Sequence, residues 1–387
     1  MSAISDTLGG CASKARSGPV RMGLVGGGAG SFIGPVHALA ARLDGDIRIV
    51  AGAFSRDAVR SREAAATYGV DPERGYASLE DMLSAEAERE DGIEFITIAT
   101  PNAHHAIAAR AAIEAGIAVM SDKPMTATLE EARAIVALLD EMPVPFGLTY
   151  TYSGYPLVRE MRERIAAGAI GTLRKVVVEY NQGWLAGEAS GKQAEWRVDP
   201  ASAGLGGCIA DIGVHAFHLA EFVTGARVAQ INADLGTVVP GRVLDDDCQM
   251  FLRFEGGARG VLMASQIMTG EGNDLAIRIY GDKGAFRWSQ ESPNHLTWLK
   301  AEGGLEIVRA GDASLGVSAL AGTRLPGGHP EGLIESLANL YRDFAGTLRG
   351  KDGSLVPGAY EGLRGMALIT IAVNASRNGL GWVNLTV

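Results

Sequence analysis

Asp211 and His215 stand four residues apart in the segment Gly206-Gly207-Cys208-Ile209-Ala210-Asp211-Ile212-Gly213-Val214-His215, and Ile209, Ile212, Phe217 and Phe222 give it a helical apolar period. On a helix the two side chains share one face. A carboxylate there favours the charged imidazole and orients it, which suits a general acid/base; its ionisation is expected within about a unit of 6.5, raised by Asp211 and lowered by burial. The same spacing also describes an ion pair on a solvated helix surface. A second chemical signature is Gly26-Gly27-Gly28-Ala29-Gly30, between an apolar run and a helical stretch beginning near Gly34. Glycines at such a turn let backbone N–H groups and the helix dipole approach a pyrophosphate that a side chain would block. Five residues separate Gly28 from Gly34, three more than in G-x-G-x-x-G, so the turn alone also describes a bend without a ligand.

The elements around these residues follow from hydrophobic period. Residues 20–25 read as a short buried strand, and Ile47 to Phe54 as a second, with Ser55-Arg56-Asp57 capping the helix after it. Alternation continues through the strand Ile93 to Ala99, a helix over 103–115, the strand Ala118 to Ser121 and a helix over 128–140. Strands buried on both faces between helices indicate a parallel sheet. Beyond about residue 150 longer strands alternate with period two: Lys175 to Asn181, Asp247 to Phe254, Ala258 to Met268 and Asp274 to Tyr280. Gly256-Gly257 and Gly281-Asp282-Lys283-Gly284 mark hairpin turns between them. Helices are expected near 155–167 and 209–224, and over 330–348 and 360–378. The expected organisation is a flexible tail over 1–18, a dinucleotide-binding α/β domain over 19–150, and an α+β domain over 151–387 for substrate binding and oligomerisation.

Composition narrows the function classes. The 387 residues are 47% hydrophobic and 21% charged with 52 glycines, which describes an ordered, turn-rich globular chain. A formal net charge of -10, with no basic stripe, excludes nucleic acid as a partner. Cys11, Cys208 and Cys248 suit neither a disulfide framework nor a zinc site, so a cytoplasmic protein is expected. Leu8-Gly9-Gly10-Cys11 has the shape of a lipoprotein box but lacks the apolar stretch that drives insertion, and no run of about 18 apolar residues follows, so no membrane association is expected. Asp245-Asp246-Asp247 point to different faces of a strand start and read as a solvated turn, with no metal.

At the end of the second strand of a dinucleotide fold, an acid reads the ribose diol of NAD and an arginine the 2′-phosphate of NADP. Ala53-Phe54-Ser55-Arg56 offers a hydroxyl and a guanidinium, which favours NADP. Asp57 rotating inward and Arg56 as a solvated side chain are the alternatives.

Gly34-Pro35-Val36-His37, Ala99-Thr100-Pro101-Asn102-Ala103-His104-His105, Ser121-Asp122-Lys123-Pro124 and the segment Gly206 to His215 occur in that order. Together they resemble the Gfo/Idh/MocA family over nearly the whole chain. The resemblance implies an α/β Rossmann domain followed by an α+β domain with an open, mainly antiparallel sheet that supports a homodimer or homotetramer. It implies hydride transfer between NAD(P) and a secondary alcohol or ketone of a sugar, inositol or related polyol. Lys123, Asp211 and His215 fall on the family's catalytic positions: His215 as base, Lys123 polarising the oxygen, Asp211 orienting substrate and imidazole. Gly26, Gly28, Phe32, Ile33, Ser55, Arg56, Thr100, Pro101, Asn102 and Lys123 are the expected cofactor contacts. Trp196-Arg197 resembles a pocket-lining segment, so Arg197 joins Lys123, Asp211 and His215 as a substrate contact, with His329 of Gly-His-Pro-Glu reaching in from a loop. His104, His218 and His295 read as ordinary structural or exposed histidines. Two departures stand out: Asp122 replaces the family's glutamate before Lys123, and the expansion over 29–33 moves Phe32 toward the cofactor or substrate. An NAD-retaining glycosidase of the same superfamily and a nonenzymatic NAD(P)-sensing protein are the rival readings.

Overall fold

The computed structural model describes residues 18–187 and 191–387. Most of the expected tail, with the Leu8 to Cys11 segment, lies outside them. The first half alternates as expected: β1 (Val20–Gly26), α1 (Ile33–Arg42), β2 (Ile47–Ala53), α2 (Ala58–Thr67), α3 (Leu79–Ala87), β3 (Phe95–Ala99), α4 (His105–Glu114), β4 (Ala118–Ser121), α5 (Leu129–Glu141) and β5 (Phe146–Leu148). The strands form one parallel sheet in the order β2-β1-β3-β4-β5. Phe95 to Ala99 is buried at every position because helices cover both faces. Local chemistry sets the helix starts: Asp57 accepts the Arg60 N–H at 3.0 Å, and Thr128 with Glu131 forms a capping box on α5. Strand order reverses at β1, so a crevice opens at the carboxyl ends of β1 and β3.

The second half comprises α6 (Pro156–Ala166), β6 (Leu173–Asn181), α7 (Lys192–Val198), α8 (Pro200–Ala203), a π-helical turn (Ile209–Gly213) leading into α9 (Val214–Thr224), β7 (Val228–Gly236), β8 (Asp247–Phe254), β9 (Arg259–Ser265), β10 (Asp274–Gly281), β11 (Gly284–Ser289), β12 (His295–Lys300), β13 (Leu305–Arg309), α10 (Val317–Ala321), α11 (Leu333–Leu348), α12 (Ala359–Arg377) and β14 (Val383–Asn384). Nine strands make one sheet, β13-β12-β11-β10-β6-β9-β8-β7-β14. Every neighbouring pair is antiparallel except β6 with β9. Along β6, Val176, Val178 and Tyr180 are buried, while Lys175, Val177 and Glu179 point to the other, open face. No described helix is long and apolar enough to cross a membrane.

One helix departs from the division at residue 150. Leu337, Leu340, Tyr341 and Phe344 of α11 share a hydrophobic cluster with Met22, Phe95 and Met120 of the first sheet. Their spacing gives α11 a single apolar stripe, and the sheet face beside β1 and β3 requires a cover; Phe344 meets Phe95 edge-on at 5.4 Å. Residues 333–348 therefore complete the core of the nucleotide-type domain.

Candidate active site

A cleft of about 1410 Å³ runs from the glycine turn to the buried entry of α9. At its first end Gly26 and Gly27 take φ of +91° and +78°, a region that favours glycine. A Cβ on Gly26 would lie 2.5 Å from the Ala99 carbonyl oxygen, and one on Gly28 would lie 2.5 Å from that of Phe54. Gly34 meets the Gly27 backbone directly, which seats α1 against the turn. The Gly28 contact refines an expectation: a side chain there collides with the end of β2 rather than only obstructing a phosphate. Gly28→Val is expected to abolish measurable cofactor binding by displacing the whole loop. A fluorescence titration with wild-type affinity for NADH and NADPH would refute a dinucleotide role for this end.

Phe32, 61% exposed, and Ile33 line the cleft beside the turn, as do Ser55, Arg56 and Arg60. Asp57 lines no part of it: its carboxylate caps α2, and its N–H donates to Ser55 Oγ at 3.2 Å. Thr100, Pro101 and Asn102 form the opposite rim. The Thr100 hydroxyl is buried without a partner, whereas the Asn102 amide donates to the Ala203 carbonyl at 3.0 Å and ties α8 to the nucleotide-type domain. His105 bridges the Thr100 and Pro124 carbonyls at 2.9 and 2.8 Å and so joins this rim to the loop carrying Lys123.

The other end is built around Asp211. Its Oδ1 accepts Lys123 Nζ at 3.0 Å, and its Oδ2 accepts Arg197 Nε at 3.2 Å and Gln266 Nε2 at 2.9 Å. Lys123 Nζ also donates to the Asp211 backbone carbonyl. The expected regular helix over 209–224 is a π-helical turn followed by α9, an irregularity often found at functional sites. Burial works against the charge of Asp211, but the Lys123 and Arg197 cations and the hydrogen bonds from Lys123 and Gln266 overcome it and hold the carboxyl well below the usual range. Arg197 also lies 4.4 Å from the Trp196 ring and 5.7 Å from that of Trp184.

His215 lines the cleft and is held by rings, not by the carboxylate. Tyr152 and Tyr150 meet it edge-on at 4.9 and 5.8 Å, while Asp211 is committed to Lys123, Arg197 and Gln266. Its Nδ1 is buried without a partner. Burial first, and the Lys123 cation second, push its ionisation well below 6.5, with Asp211 opposing too weakly. The expectation of a His215 that titrates within about a unit of 6.5 is thus corrected: burial and the Lys123 cation favour the neutral imidazole.

Other expected residues are placed differently. His329 is exposed, bonds the Pro326 carbonyl at 3.1 Å and does not line the cleft, because Glu331 gathers the backbone of Arg324 and Leu325 and holds the loop at the surface. Asp245 and Asp246 are not a solvated turn. Asp245 accepts the Gly207 and Ile209 N–H groups, both at 2.7 Å, and Asp246 those of Val238 and Val239 at 2.8 and 2.9 Å. Backbone donors at the entry to the π-turn need acceptors, which Asp245 supplies, and Asp246 does the same for the loop that follows β7. His104 is exposed on the cleft rim, His295 is exposed, and His218 is buried against Tyr150 at 4.2 Å with its ionisation pushed down to about 3 by burial.

Sequence reasoning missed Tyr152, Tyr180, Gln182, Trp184, Gln266 and Asn273, which surround Asp211 and His215. Tyr152 carried a usable signal, since it follows the last parallel strand, β5, and strand carboxyl ends carry ligands in such sheets. The others come from the ends of sheet strands far apart in the chain, where no local pattern marks them.

Two family models cover most of the chain. That of the oxidoreductase family, NAD-binding Rossmann fold, matches residues 20–150, and that of the GFO/IDH/MocA C-terminal domain matches 158–287. The chain is 35% identical to "Uncharacterized oxidoreductase YfiI" of Bacillus subtilis over 95% of its own length and 97% of that protein. An inositol dehydrogenase homolog from Azotobacter vinelandii, complexed with NAD+, superposes with a TM-score of 0.90 at 33% identity, covering 95% of this chain and 98% of that one. The same homolog with NADH and myo-inositol gives 0.88 at 33% identity over 96% and 99%.

Proposed function

Since the chain belongs to the Gfo/Idh/MocA family of NAD-binding oxidoreductases, we propose that its cleft transfers a hydride between a nicotinamide cofactor and a secondary alcohol or ketone of a sugar, inositol or related polyol. The observation that carries this reading is that His215 and the Lys123–Asp211 pair line the same cleft as the glycine turn. The residues at the first end fit a dinucleotide: the turn tolerates no Cβ at Gly26 or Gly28, and the Thr100 hydroxyl is an unpartnered buried donor. Gly26, Gly28, Phe32, Ile33, Ser55, Arg56, Thr100, Pro101 and Asn102 would hold the cofactor, with Lys123 where the two ends of the cleft meet.

A nicotinamide held by these residues would supply or accept the hydride. In the oxidative direction neutral His215 takes the hydroxyl proton, and the Asp211 carboxylate nearby offsets the charge the ring acquires. Lys123 donates to the reacting oxygen and stabilises the negative charge that develops there. Asp211 fixes the ammonium through both its carboxylate and its backbone carbonyl, while Arg197 and Gln266 hold Asp211. Absorbance of NAD(P)H across a panel of sugars and polyols tests the proposal; no turnover of any with cofactor bound would overturn it. A glycosidase that retains its cofactor and a nonenzymatic sensor are not favoured, because the similar structures are those of a dehydrogenase homolog with NAD+ or NADH.

For the cofactor we infer a preference for NADP. Asp57 is committed to its helix cap, and Arg56 and Arg60 line the cleft where a 2′-phosphate would lie. Arg56→Ala is expected to weaken NADPH about tenfold more than NADH, the loss of one charge-assisted contact. Equal losses in paired titrations would show Arg56 to be merely solvated.

The open sheet face supports a homodimer or homotetramer. Phe251 is 59% exposed there, and the outward Val177, Val261 and Met263 continue its apolar surface. Symmetric burial against another copy is the usual remedy for such a face. Light scattering at micromolar concentration should report an oligomer, and a monomer would refute this. Cys208 and Cys248, both buried and free, fit a reducing cytoplasm.

A further inference from the structure

One wall of the cleft carries a hydrogen-bonded ring whose proton directions follow from a single donor. The Trp184 indole nitrogen can only donate. It donates to Gln182 Oε1 at 2.8 Å, which fixes that amide and makes Gln182 Nε2 the donor to Asn273 Oδ1 at 2.6 Å. With Oδ1 so assigned, the Tyr180 hydroxyl must donate to it, at 2.8 Å, and Asn273 Nδ2 donates to the Tyr152 oxygen at 3.1 Å. The last contact joins the two phenols. Because the Tyr180 proton is already committed, Tyr152 is its donor. The ring therefore runs from Tyr152 to Tyr180 to Asn273 and back to Tyr152. Each phenol gives its one proton to the protein and keeps an acceptor position.

All three residues line the cleft, and the Tyr152 ring lies 4.9 Å from that of His215. Resting on the dehydrogenase reading above, we infer that the Tyr152–Tyr180–Asn273 ring is a specificity determinant that accepts a hydrogen bond from a second substrate hydroxyl close to the reacting carbon. A phenol could donate to the substrate only by breaking the ring and leaving buried groups unpaired. The two phenols therefore select a hydroxyl over any group that only accepts: a carbonyl, an ether oxygen or fluorine. The substrate class narrows to rings with a free hydroxyl beside the carbon that is oxidised.

Rates would be measured for D-glucose, D-xylose and myo-inositol and for their singly deoxygenated and singly deoxyfluorinated derivatives. For the parent oxidised fastest, one position besides the reacting carbon should lower kcat/KM about tenfold to a hundredfold on deoxygenation, and equally on fluorination, because fluorine accepts but cannot donate. Tyr180→Phe removes the acceptor of the Tyr152 proton, which can then turn to the cleft; the fluoro derivative should overtake the deoxy one in that variant. Asn273→Ala frees the Tyr180 proton and should act the same way if Tyr180→Phe does not fold. Wild-type acceptance of a fluoro derivative at every position, or variants that leave the deoxy-to-fluoro ratio unchanged, would overturn the inference. Failure to oxidise any parent would overturn the dehydrogenase reading itself, and the inference with it.

Discussion

His215→Ala is expected to lower turnover by about two to four orders of magnitude while leaving cofactor affinity nearly intact, the range for loss of a positioned acid/base. His215 belongs to α9, whereas the glycine turn and the ends of β2 and β3 line the opposite end of the cleft. Removing the imidazole should therefore leave a titration with NAD(P)H unchanged. The pH dependence gives a second check. Burial holds the folded-state ionisation of His215 well below 6.5, so the ring is the required neutral base throughout the neutral range. The oxidative rate should show no His215 limb between about pH 6.5 and 8, and should fall only as acid protonates the ring at its depressed value. The same shift acts on stability. A histidine with a depressed folded-state value contributes fully above its unfolded value of about 6.5, and that contribution is lost as pH falls toward the folded value. A His215→Ala variant with wild-type turnover, or a rate that climbs through pH 6.5, would overturn this role.

Lys123→Met is expected to cost about two to three orders of magnitude in kcat, comparable to removing one donor aimed at a developing oxyanion. The methionine keeps the length of the side chain but loses the ammonium. Asp211 would retain Arg197 and Gln266, so its segment should stay in place, although its carboxyl would move back up from its depressed range. The loss should appear in kcat rather than in cofactor affinity, measured by pre-steady-state turnover and fluorescence titration on the same preparation. Activity within tenfold of wild type would show that Lys123 only anchors Asp211.

Both predictions rest on distances that no local pattern could supply. Arg197 and Gln266 reach Asp211 from 14 and 55 residues away, and Asp245 caps Gly207 and Ile209 from 38 and 36. The three consecutive acids read as a solvated turn because a strand start offers no hint of the N–H groups they meet. His329 misled for the converse reason: a histidine in a polar loop looks free to reach inward until Glu331 is seen holding that loop at the surface.

What the sequence by itself determined is what neighbours along the chain decide. The glycine turn, the β/α alternation, the hairpins at Gly256-Gly257 and Gly281 to Gly284, and the cap at Asp57 follow from backbone freedom, apolar period and side-chain reach over a few residues. The ordered motifs also pointed to the family. Tertiary structure alone decided that α11 would complete the first core, that a π-turn would carry Asp211, and that three phenol and amide groups would close a ring beside His215. It also decided the charge state of His215. The sequence showed that Asp211 would raise the ionisation and burial lower it, but not which wins: desolvation depends on everything packed around the ring, and burial among Tyr150, Tyr152 and Tyr180 outweighs the carboxylate.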